Sequence, residues 1–207
     1  FTAAMQSVGE GAGTATITAQ LSAASGLPVT VPYGVAGDAT DPDDYTLAPN
    51  PIVIPAGMTS ADVTVTLVGD LLDENDETVV LTIGAPTNAG VGATNVHTLT
   101  INDDDATPTV DFTVAAQAVS EGAGTATITA ELSAASGLPV TVPYAVSGDA
   151  TDPGDYTLAP NPIVIPAGST TADVTVTLVG DLLDENDETV VLTIGAPTNA
   201  GVGATNV

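Results

Sequence analysis

The sequence contains no lysine and no arginine, against 26 aspartates and glutamates, which gives a formal net charge of −26 at pH 7. A surface without basic side chains cannot make the phosphate contacts on which nucleic-acid binding depends, and an anionic membrane surface would repel it. Self-repulsion at this charge destabilises a compact fold unless cations compensate. Because no basic side chain is available, these cations must be dissolved salt or bound metal ions.

Cysteine and tryptophan are also absent. The lack of cysteine excludes disulfides, zinc–thiolate sites and a cysteine nucleophile. No stretch approaches the roughly 20 apolar residues that span a membrane, so we expect no membrane insertion. The sequence opens without a signal peptide, which indicates a mature or excised fragment. The acidic composition, rich in Thr, Gly and Asp, is typical of secreted bacterial proteins, so we expect an extracellular or cell-surface location.

The sequence gives little support to an enzyme. Paired carboxylates suit glycoside hydrolysis, but such sites usually have aromatic platforms and this chain has no Trp. His97 is the only histidine and is predicted to face outward, so no base is placed to activate a Ser or Thr. The glycine-rich segment Glu10–Gly13 lacks the lysine and the helix of a phosphate-binding loop. We therefore predict a protein without enzymatic activity.

An internal duplication organises the chain. Residues 1–96 match residues 112–207 without a gap at all but ten positions, with a constant offset of 111. We predict a first repeat at 1–105, a short proline-stiffened linker at 106–111, and a second repeat at 112–207. The second repeat has no counterpart of His97–Asp105, a strand with three aspartates. A window cut from a longer array and a truncated terminus both explain this.

Alternating apolar and polar residues predict short β-strands throughout each repeat. In the first repeat the predicted strands are residues 3–8, 14–21, 29–35, 52–54, 61–67, 78–83 and 97–101. Glycine and proline turns separate the strands, and no segment has a sustained helical period. Seven short strands in about 100 residues predict an all-β fold, an antiparallel β-sandwich in each repeat. The side chains predicted to face the first core are Ala15, Ile17, Ala19, Leu21, Val63, Val65, Leu67, Val79, Leu81, Ile83, Leu99 and Ile101.

The acidic residues are concentrated in loops. Three groups stand out, Asp38–Asp44, Asp70–Glu77 and Asp103–Asp105, and Glu10 lies among glycines after the first strand. Because antiparallel strands send alternate loops to opposite ends, these loops are predicted to meet at one end of the sandwich. Solvated acidic loops are the alternative, but the lack of basic partners argues against it. Hard oxygen donors in flexible loops suit Ca²⁺ better than Mg²⁺, which needs a tighter octahedron.

Four segments in this order and spacing resemble the Calx-β domain. They are Val8–Gly13, Gly37–Thr40 leading to Asp44 and Tyr45, the Asp70–Glu77 loop, and Thr100–Asp105. The resemblance covers nearly the whole of each repeat. It implies tandem immunoglobulin-like sandwiches of about seven strands, with Ca²⁺ bound at one end. The family occurs in regulatory domains of sodium–calcium exchangers, in an integrin and in large bacterial surface proteins.

The same resemblance implies the calcium ligands. In the first repeat they are Glu10, Asp44, Asp70, Glu74, Glu77, Asp103, Asp104 and Asp105, with the carbonyl of Leu72. In the second repeat they are Glu121, Asp155, Asp181, Glu185 and Glu188, with the carbonyl of Leu183. Gly69 stands where many members carry a further aspartate. Asp43 is replaced by Gly154 in the second repeat, so we do not expect it to be a ligand, and Asp73 and Asp76 are predicted to face outward.

These observations predict a calcium-binding structural module of a long extracellular surface, adhesin or filament protein, made rigid by Ca²⁺ at the ends of its repeats. The expected partners are adjacent repeats of the same chain and like chains in a filament or matrix. Two alternatives stay open. One is a calcium-sensing regulatory pair, which the near identity of the copies disfavours. The other is a self-assembling filament subunit completed by strand exchange.

Overall fold

The computed structural model describes residues 1–48, 50–158, 161–181 and 186–207. Its contacts divide the chain into two units, one of Phe1–Leu71 with Asn75–Asp104, the other of Leu72–Glu74 with Asp105–Val207. Among the described residues, the regular secondary structure of both units consists of strands, apart from one short 3-10 turn each at Glu10–Ala12 and Glu121–Ala123. Within the ranges described, no helix has the length and apolar character needed to cross a membrane.

The described residues of the first unit form nine strands in three hydrogen-bonded sheets. The strands are β1 (Met5–Gly9), β2 (Thr14–Gln20), β3 (Val29–Val31), β4 (Tyr33–Gly37), β5 (Tyr45–Leu47), β6 (Ile52–Ile54), β7 (Ser60–Leu67), β8 (Glu77–Ile83) and β9 (Val96–Asn102). The sheet orders are β1-β9-β8-β4, β2-β7-β5 and β3-β6. Side chains from all three sheets meet in one apolar core, so the unit is a β-sandwich, as the sequence predicts.

The alternation of the sequence determines which side chains form this core. Ile17 on β2, Val65 on β7 and Leu81 on β8 are almost completely buried, while the threonines between such residues lie outside the core. All the side chains predicted to face inward are buried, except Leu21 and Ile83, which are half-buried at the margin. β-branched Val and Thr suit a sheet with one packed and one wet face.

The observed strands differ from the predicted ones in three respects. β1 pairs in parallel with β9, with Met5 opposite Thr98 and Gly9 opposite Asn102, so the larger sheet is mixed rather than purely antiparallel. The predicted strand Val29–Val35 is two strands in different sheets, since Pro32 has no N–H to continue a ladder. The short strand β5 was not predicted.

The prediction that His97 faces outward is wrong. His97 is 1% exposed and shares the inner face of β9 with Leu99 and Ile101. Its Nδ1 is 2.8 Å from the carbonyl oxygen of Ala3, and the Phe1 ring packs edge-on against the imidazole with the centroids 5.8 Å apart. Nδ1 therefore has a backbone partner and the ring has an aromatic cover, while the buried Nε2 has no hydrogen-bond partner among the described residues.

The second unit repeats most of this arrangement. Its strands are β10 (Thr109–Phe112), β11 (Thr125–Leu132), β12 (Val140–Val142), β13 (Tyr144–Gly148), β14 (Tyr156–Leu158), β15 (Ile163–Ile165), β16 (Thr171–Leu178), β17 (Val190–Ile194) and β18 (Gly201–Val202). The sheet orders are β14-β16-β11-β10-β18, β12-β15 and β13-β17. Residues 116–120, which correspond to β1, form no strand.

The second unit also contains Leu72–Glu74. There Asp73 is 8% exposed, so its predicted outward position is wrong. Its carboxylate accepts a hydrogen bond of 3.0 Å from the hydroxyl of Thr107, and its backbone carbonyl accepts one of 3.1 Å from the hydroxyl of Ser136. The Asp73 side chain is therefore buried and hydrogen-bonded rather than exposed to solvent.

Candidate metal centre

The parallel pairing of β1 with β9 positions the acidic residues of the first repeat. Gly9, the last residue of β1, lies opposite Asn102, the last residue of β9. β8 runs antiparallel to β9 and begins beside the same point, with Glu77 opposite Ile101. The turn after β1, the loop before β8 and the aspartates after β9 therefore emerge at one edge.

Three carboxylates meet at this edge. One oxygen each from Glu10, Asp70 and Asp105 lies within 4.8 Å of the other two. Glu10 comes from the 3-10 turn and is 8% exposed, Asp70 is exposed in the β7–β8 loop, and Asp105 directly follows the last residue of the first unit. All three residues are candidate ligands predicted from the sequence, and the fold brings them together.

Glycines allow this close approach. A Cβ at Gly9 or Gly11 would lie 3.0 or 3.1 Å from Oδ2 of Asp104, so the carboxylate of Asp104 rests directly on the turn that carries Glu10. A Cβ at Gly69 would lie 3.3 Å from the carbonyl carbon and oxygen of Glu10. The absence of a side chain at Gly69 thus lets the β7–β8 loop pack on the backbone of Glu10.

Two buried carboxylate oxygens at this edge have no hydrogen-bond donor among the residues that the structure describes. They are Oδ1 of Asp103 and Oδ2 of Asp105. The backbone N–H of Asp103 is satisfied, since it donates to Oδ1 of Asp76 over 3.1 Å. A buried polar atom without a partner costs about 1–3 kcal/mol, and more when it is charged. A bound cation would satisfy both oxygens.

Repulsion among the carboxylates also favours a bound cation at this edge. Two carboxylates 4.8 Å apart repel by about 1 kcal/mol in water and by about 3–4 kcal/mol at the effective dielectric constant of a protein surface. Three such pairs exist in the cluster, and the sequence has no Lys or Arg to offset them. A divalent cation between the carboxylates would convert this repulsion into attraction.

The loop Asp38–Asp44 uses its aspartates differently. Oδ2 of Asp44 accepts hydrogen bonds from the backbone N–H and the hydroxyl of Thr40, which closes the loop on itself. Oδ1 of Asp38 accepts from the hydroxyl and the backbone N–H of Thr78, and these bonds hold the pKa of Asp38 below its ordinary value. Asp44 is not part of the cluster of Glu10, Asp70 and Asp105.

The Asp38–Thr78 contact predicts a pH dependence of stability. The pKa of Asp38 is lower in the folded than in the unfolded chain, so the stabilisation is present above the ordinary value of 3.8 and is lost as pH falls through the folded value. We expect Asp38→Asn to destabilise the first repeat above pH 4, with a difference from the parent that shrinks towards pH 2. Urea denaturation between pH 2 and pH 7 measures this, with Asp43→Asn as the exposed control. A difference that is constant with pH would contradict it.

Several other predicted ligands of the first repeat lie outside the cluster of Glu10, Asp70 and Asp105. Leu72 and Glu74 belong to the second unit, where the carboxylate of Glu74 lies against Gly137. Glu77 is half-buried at the start of β8. Asp104 is exposed over the glycine turn.

The predicted residues of the second repeat form no acidic cluster within the described ranges. Glu121, Asp181 and Glu188 are exposed there. Asp155 accepts hydrogen bonds from the backbone N–H and the hydroxyl of Thr151, and these bonds are the main reason that its pKa lies below the ordinary value. Asp155 thus repeats the loop-closing contact of Asp44. Leu183 and Glu185 lie outside the described residues.

The fold and the acidic edge define a class, a tandem β-sandwich whose loops offer clustered carboxylates to a cation. The family model of the Calx-beta domain matches residues 1–105 and again residues 103–205. The chain therefore belongs to the Calx-β domain family.

Solved structures of similar fold include other tandem domains. The crystal structure of CBD12 from CALX1.2 has 20% identity and a TM-score of 0.46, covering 94% of this chain and 78% of that one. The calcium binding domain CBD12 of CALX1.1 has 19% identity and a TM-score of 0.47, covering 97% and 80%. The apo-form Calx CBD1 domain has 19% identity and a TM-score of 0.45, covering 49% and 92%. No curated protein matches the chain.

Proposed function

We propose that the chain is a calcium-binding structural repeat module of a long extracellular surface, adhesin or filament protein. The observation that carries this proposal is the meeting of Glu10, Asp70 and Asp105 in a protein without Lys or Arg. The buried oxygens of Asp103 and Asp105 support it, because both lack a hydrogen-bond donor among the described residues.

The donor set fits Ca²⁺. This ion takes about 6–8 oxygen ligands in flexible geometry and accepts carboxylates, backbone carbonyls and water together. Glu10, Asp70, Asp103 and Asp105 would hold it, with Asp104 close by over the glycine turn. A site formed only from oxygens, with no Cys and with the single His buried elsewhere, disfavours the softer transition metals.

The mechanism follows from where the ligands lie in the chain. Glu10 follows β1, Asp70 lies between β7 and β8, and Asp103 and Asp105 follow β9. An ion shared by these residues would tie three segments at one edge and add its binding free energy to the stability of the fold. Asp105 leads directly into residues 106–111, so binding would also restrain the start of the linker. The proposed consequence is a calcium-stiffened spacer.

Calcium titration of paired variants tests the proposal. We expect the parent to bind Ca²⁺ with a rise in melting temperature, and Asp105→Asn to weaken binding about 10-fold or more, which is ~1.4 kcal/mol per factor of ten. Asp43→Gly is the matched control, since it gives the first repeat the residue that the second repeat carries naturally as Gly154. It should leave the affinity unchanged. Isothermal titration calorimetry and thermal melts in Ca²⁺ and in chelator measure both effects.

Two results of this titration would overturn the proposal. One is the absence of heat and of any melting shift on adding Ca²⁺. The other is equal weakening by Asp105→Asn and Asp43→Gly, which would indicate a diffuse charge effect. If calorimetry instead resolved two sites of distinct affinity that act on each other, the calcium-sensing pair would become the better interpretation.

We infer further that the module has no catalytic role and acts outside the cell. His97 is buried with its Nδ1 at the Ala3 carbonyl, a position unsuited to activating a hydroxyl for a substrate. Free Ca²⁺ is abundant outside cells, and extracellular modules use it through weak sites of millimolar order. A net charge of −26 would need that supply of cations to stay compact.

A further inference from the structure

The outer face of the four-stranded sheet in the first repeat carries no Asp or Glu among the described residues. The sheet order is β1-β9-β8-β4, and outward residues align in rows across it, as in the row of Met5, Thr98, Val80 and Ala36. We call the residues of three such rows the neutral face: Met5, Ser7, Gly34, Ala36, Thr78, Val80, Thr82, Val96, Thr98 and Thr100. The carboxylate of Asp38, which accepts the hydrogen bonds of Thr78, borders this face where β4 ends.

The neutral face stands out because the rest of the molecule is so acidic. All but one of the acidic residues of the first repeat are Glu10 or lie in the segments Asp38–Asp44, Asp70–Glu77 and Asp103–Asp105. The exception, Asp62, is exposed on the outer face of the other sheet, β2-β7-β5. Of the two sheets, the one with the neutral face therefore offers a surface that a second acidic molecule can approach without meeting a carboxylate.

The sequence differences between the repeats are concentrated at the same surface. Five of the ten fall on outward positions of β1 and β4 and their counterparts: Met5/Ala116, Ser7/Ala118, Gly9/Ser120, Gly34/Ala145 and Ala36/Ser147. Each of these exchanges one uncharged residue for another. The two differences that change the charge, Gln20/Glu131 and Asp43/Gly154, lie on β2 and in the Asp38–Asp44 loop. The side chains at this surface vary while its lack of charge is kept, as expected of a contact surface that forms without ion pairs.

The neutral face also exposes apolar side chains. Met5 is 75% exposed and Val96 is 40% exposed, while Ala36 is exposed on the opposite edge of the sheet. Val80 lies half-buried between them. Covering such side chains with another apolar surface is favourable in proportion to the area removed from water. Four strands about 4.8 Å apart, each presenting about six residues with a rise of about 3.3 Å, give the face an area of about 400 Å².

We propose that the neutral face binds the neutral face of a second copy of this chain. Charge determines the choice, because a second copy carries the same net charge of −26 and no Lys or Arg, so two copies repel wherever their carboxylates face each other. A two-fold arrangement with the strands of the two copies antiparallel places the acidic edges at opposite ends. About 400 Å² per copy is half of the roughly 800 Å² that each partner buries in a stable complex, so the dimer is weak, with a Kd of about 0.1–1 mM.

Sedimentation of the 207-residue protein in chelator tests the proposal. The dimer should strengthen as NaCl rises from about 0.1 M to about 1 M, because the screening length falls from about 10 Å to about 3 Å. Met5→Asp with Ala36→Asp should weaken it at least about 10-fold, since like charges would then face each other. Thr16→Asp with Thr46→Asp adds the same charge to exposed positions of the other sheet and should dimerise like the parent. A monomer at about 1 mM protein in 1 M NaCl, a dimer that weakens with salt, or equal weakening by both variants would overturn the proposal.

Methionine oxidation locates the contact on the parent protein, so it does not depend on the folding of any variant. The chain has two methionines, Met5 on the neutral face and Met58 between β6 and β7, where it is 55% exposed. Dilute peroxide converts exposed methionine to its sulfoxide, and mass spectrometry gives the rate at each site. In 1 M NaCl, oxidation of Met5 should slow with rising protein concentration while that of Met58 stays constant. Equal slowing at both sites, or slowing at Met58 alone, would refute the assignment. Both tests are made in chelator, so their outcome is independent of the calcium proposal.

Discussion

Replacing Gly37 with alanine should unfold the first repeat or destabilise it by more than about 3 kcal/mol. Gly37 ends β4 with φ at +125°, a conformation that L side chains rarely adopt. A Cβ at this position would lie 2.0 Å from the backbone carbonyl oxygen of Thr78. Neither strand can move away easily, because β4 pairs with β8 along the whole length of β4, from Tyr33 opposite Ile83 to Gly37 opposite Val79.

The matched control is Gly57→Ala. Gly57 also has a positive φ, +82°, but a Cβ there would meet no atom within 4 Å. Its cost should be limited to the backbone conformation, about 1–2 kcal/mol. Gly148→Ala should reproduce the larger effect in the second repeat, where φ is +121° and Cβ would lie 2.1 Å from the Thr189 carbonyl oxygen. Urea denaturation followed by circular dichroism measures all three. Equal costs for Gly37→Ala and Gly57→Ala would refute the steric argument.

Gly37 matters for the acidic edge as well as for the fold. The residue after it, Asp38, accepts two hydrogen bonds from Thr78, which follows Glu77 at the start of β8. The close approach of β4 to β8 therefore sets where β8 begins. Because Asp70 lies in the loop that leads into β8, a displaced start of β8 would also displace that carboxylate. Calcium affinity of any folded Gly37→Ala protein should fall accordingly.

Much of the fold could be predicted from the sequence because each strand has a packed and a wet face. Ile17, Val65 and Leu99 alternate with threonines, and a period of two leaves one assignment of faces. Strand direction is not encoded in this way. The alternation in β1 and β9 is the same whether the two strands run parallel or antiparallel, so their parallel pairing could not be read from it.

His97 illustrates a different limit. The alternation that places Leu99 and Ile101 inside places His97 with them, so the prediction that His97 faces outward assigned it to the wrong face of β9. The partners that make burial tolerable, the Ala3 carbonyl and the Phe1 ring, are more than 90 residues away in the sequence. Asp73 is a similar case, since its hydrogen-bond partners Thr107 and Ser136 are also distant in sequence.

Some features of the candidate site could also be predicted from the sequence, and others could not. Glu10, Asp70 and Asp105 could be predicted to converge, because the ends of strands meet at a common edge. The contact of Asp44 with Thr40 is local, but nothing in the sequence distinguishes a carboxylate that closes its own loop from one that binds a metal. Within the described residues the second repeat forms no acidic cluster, and its Glu121 is exposed where Glu10 is buried.

Replacing Glu10 with glutamine should have opposite effects on stability without and with calcium. Without calcium the change removes one of three carboxylates that repel each other, and with it two repulsive pairs of about 1–4 kcal/mol each, so the first repeat should melt several degrees higher. With saturating calcium the same change removes a charged ligand. Affinity should then fall, and the melting temperature should drop below that of the parent protein.

The duplication supplies the control for this reversal. Glu121→Gln makes the same chemical change at the corresponding position of the second repeat, where the glutamate is exposed and belongs to no acidic cluster within the described ranges. It should shift the melting temperature little in either condition. Differential scanning calorimetry in chelator and in millimolar Ca²⁺ measures all four cases. A shift of the same sign in both conditions for Glu10→Gln would show that Glu10 acts as an ordinary packing residue. A reversal at Glu10 alone would assign the metal centre to the end of the first repeat, because among the described residues only Glu10, Asp70 and Asp105 form such a cluster of carboxylates.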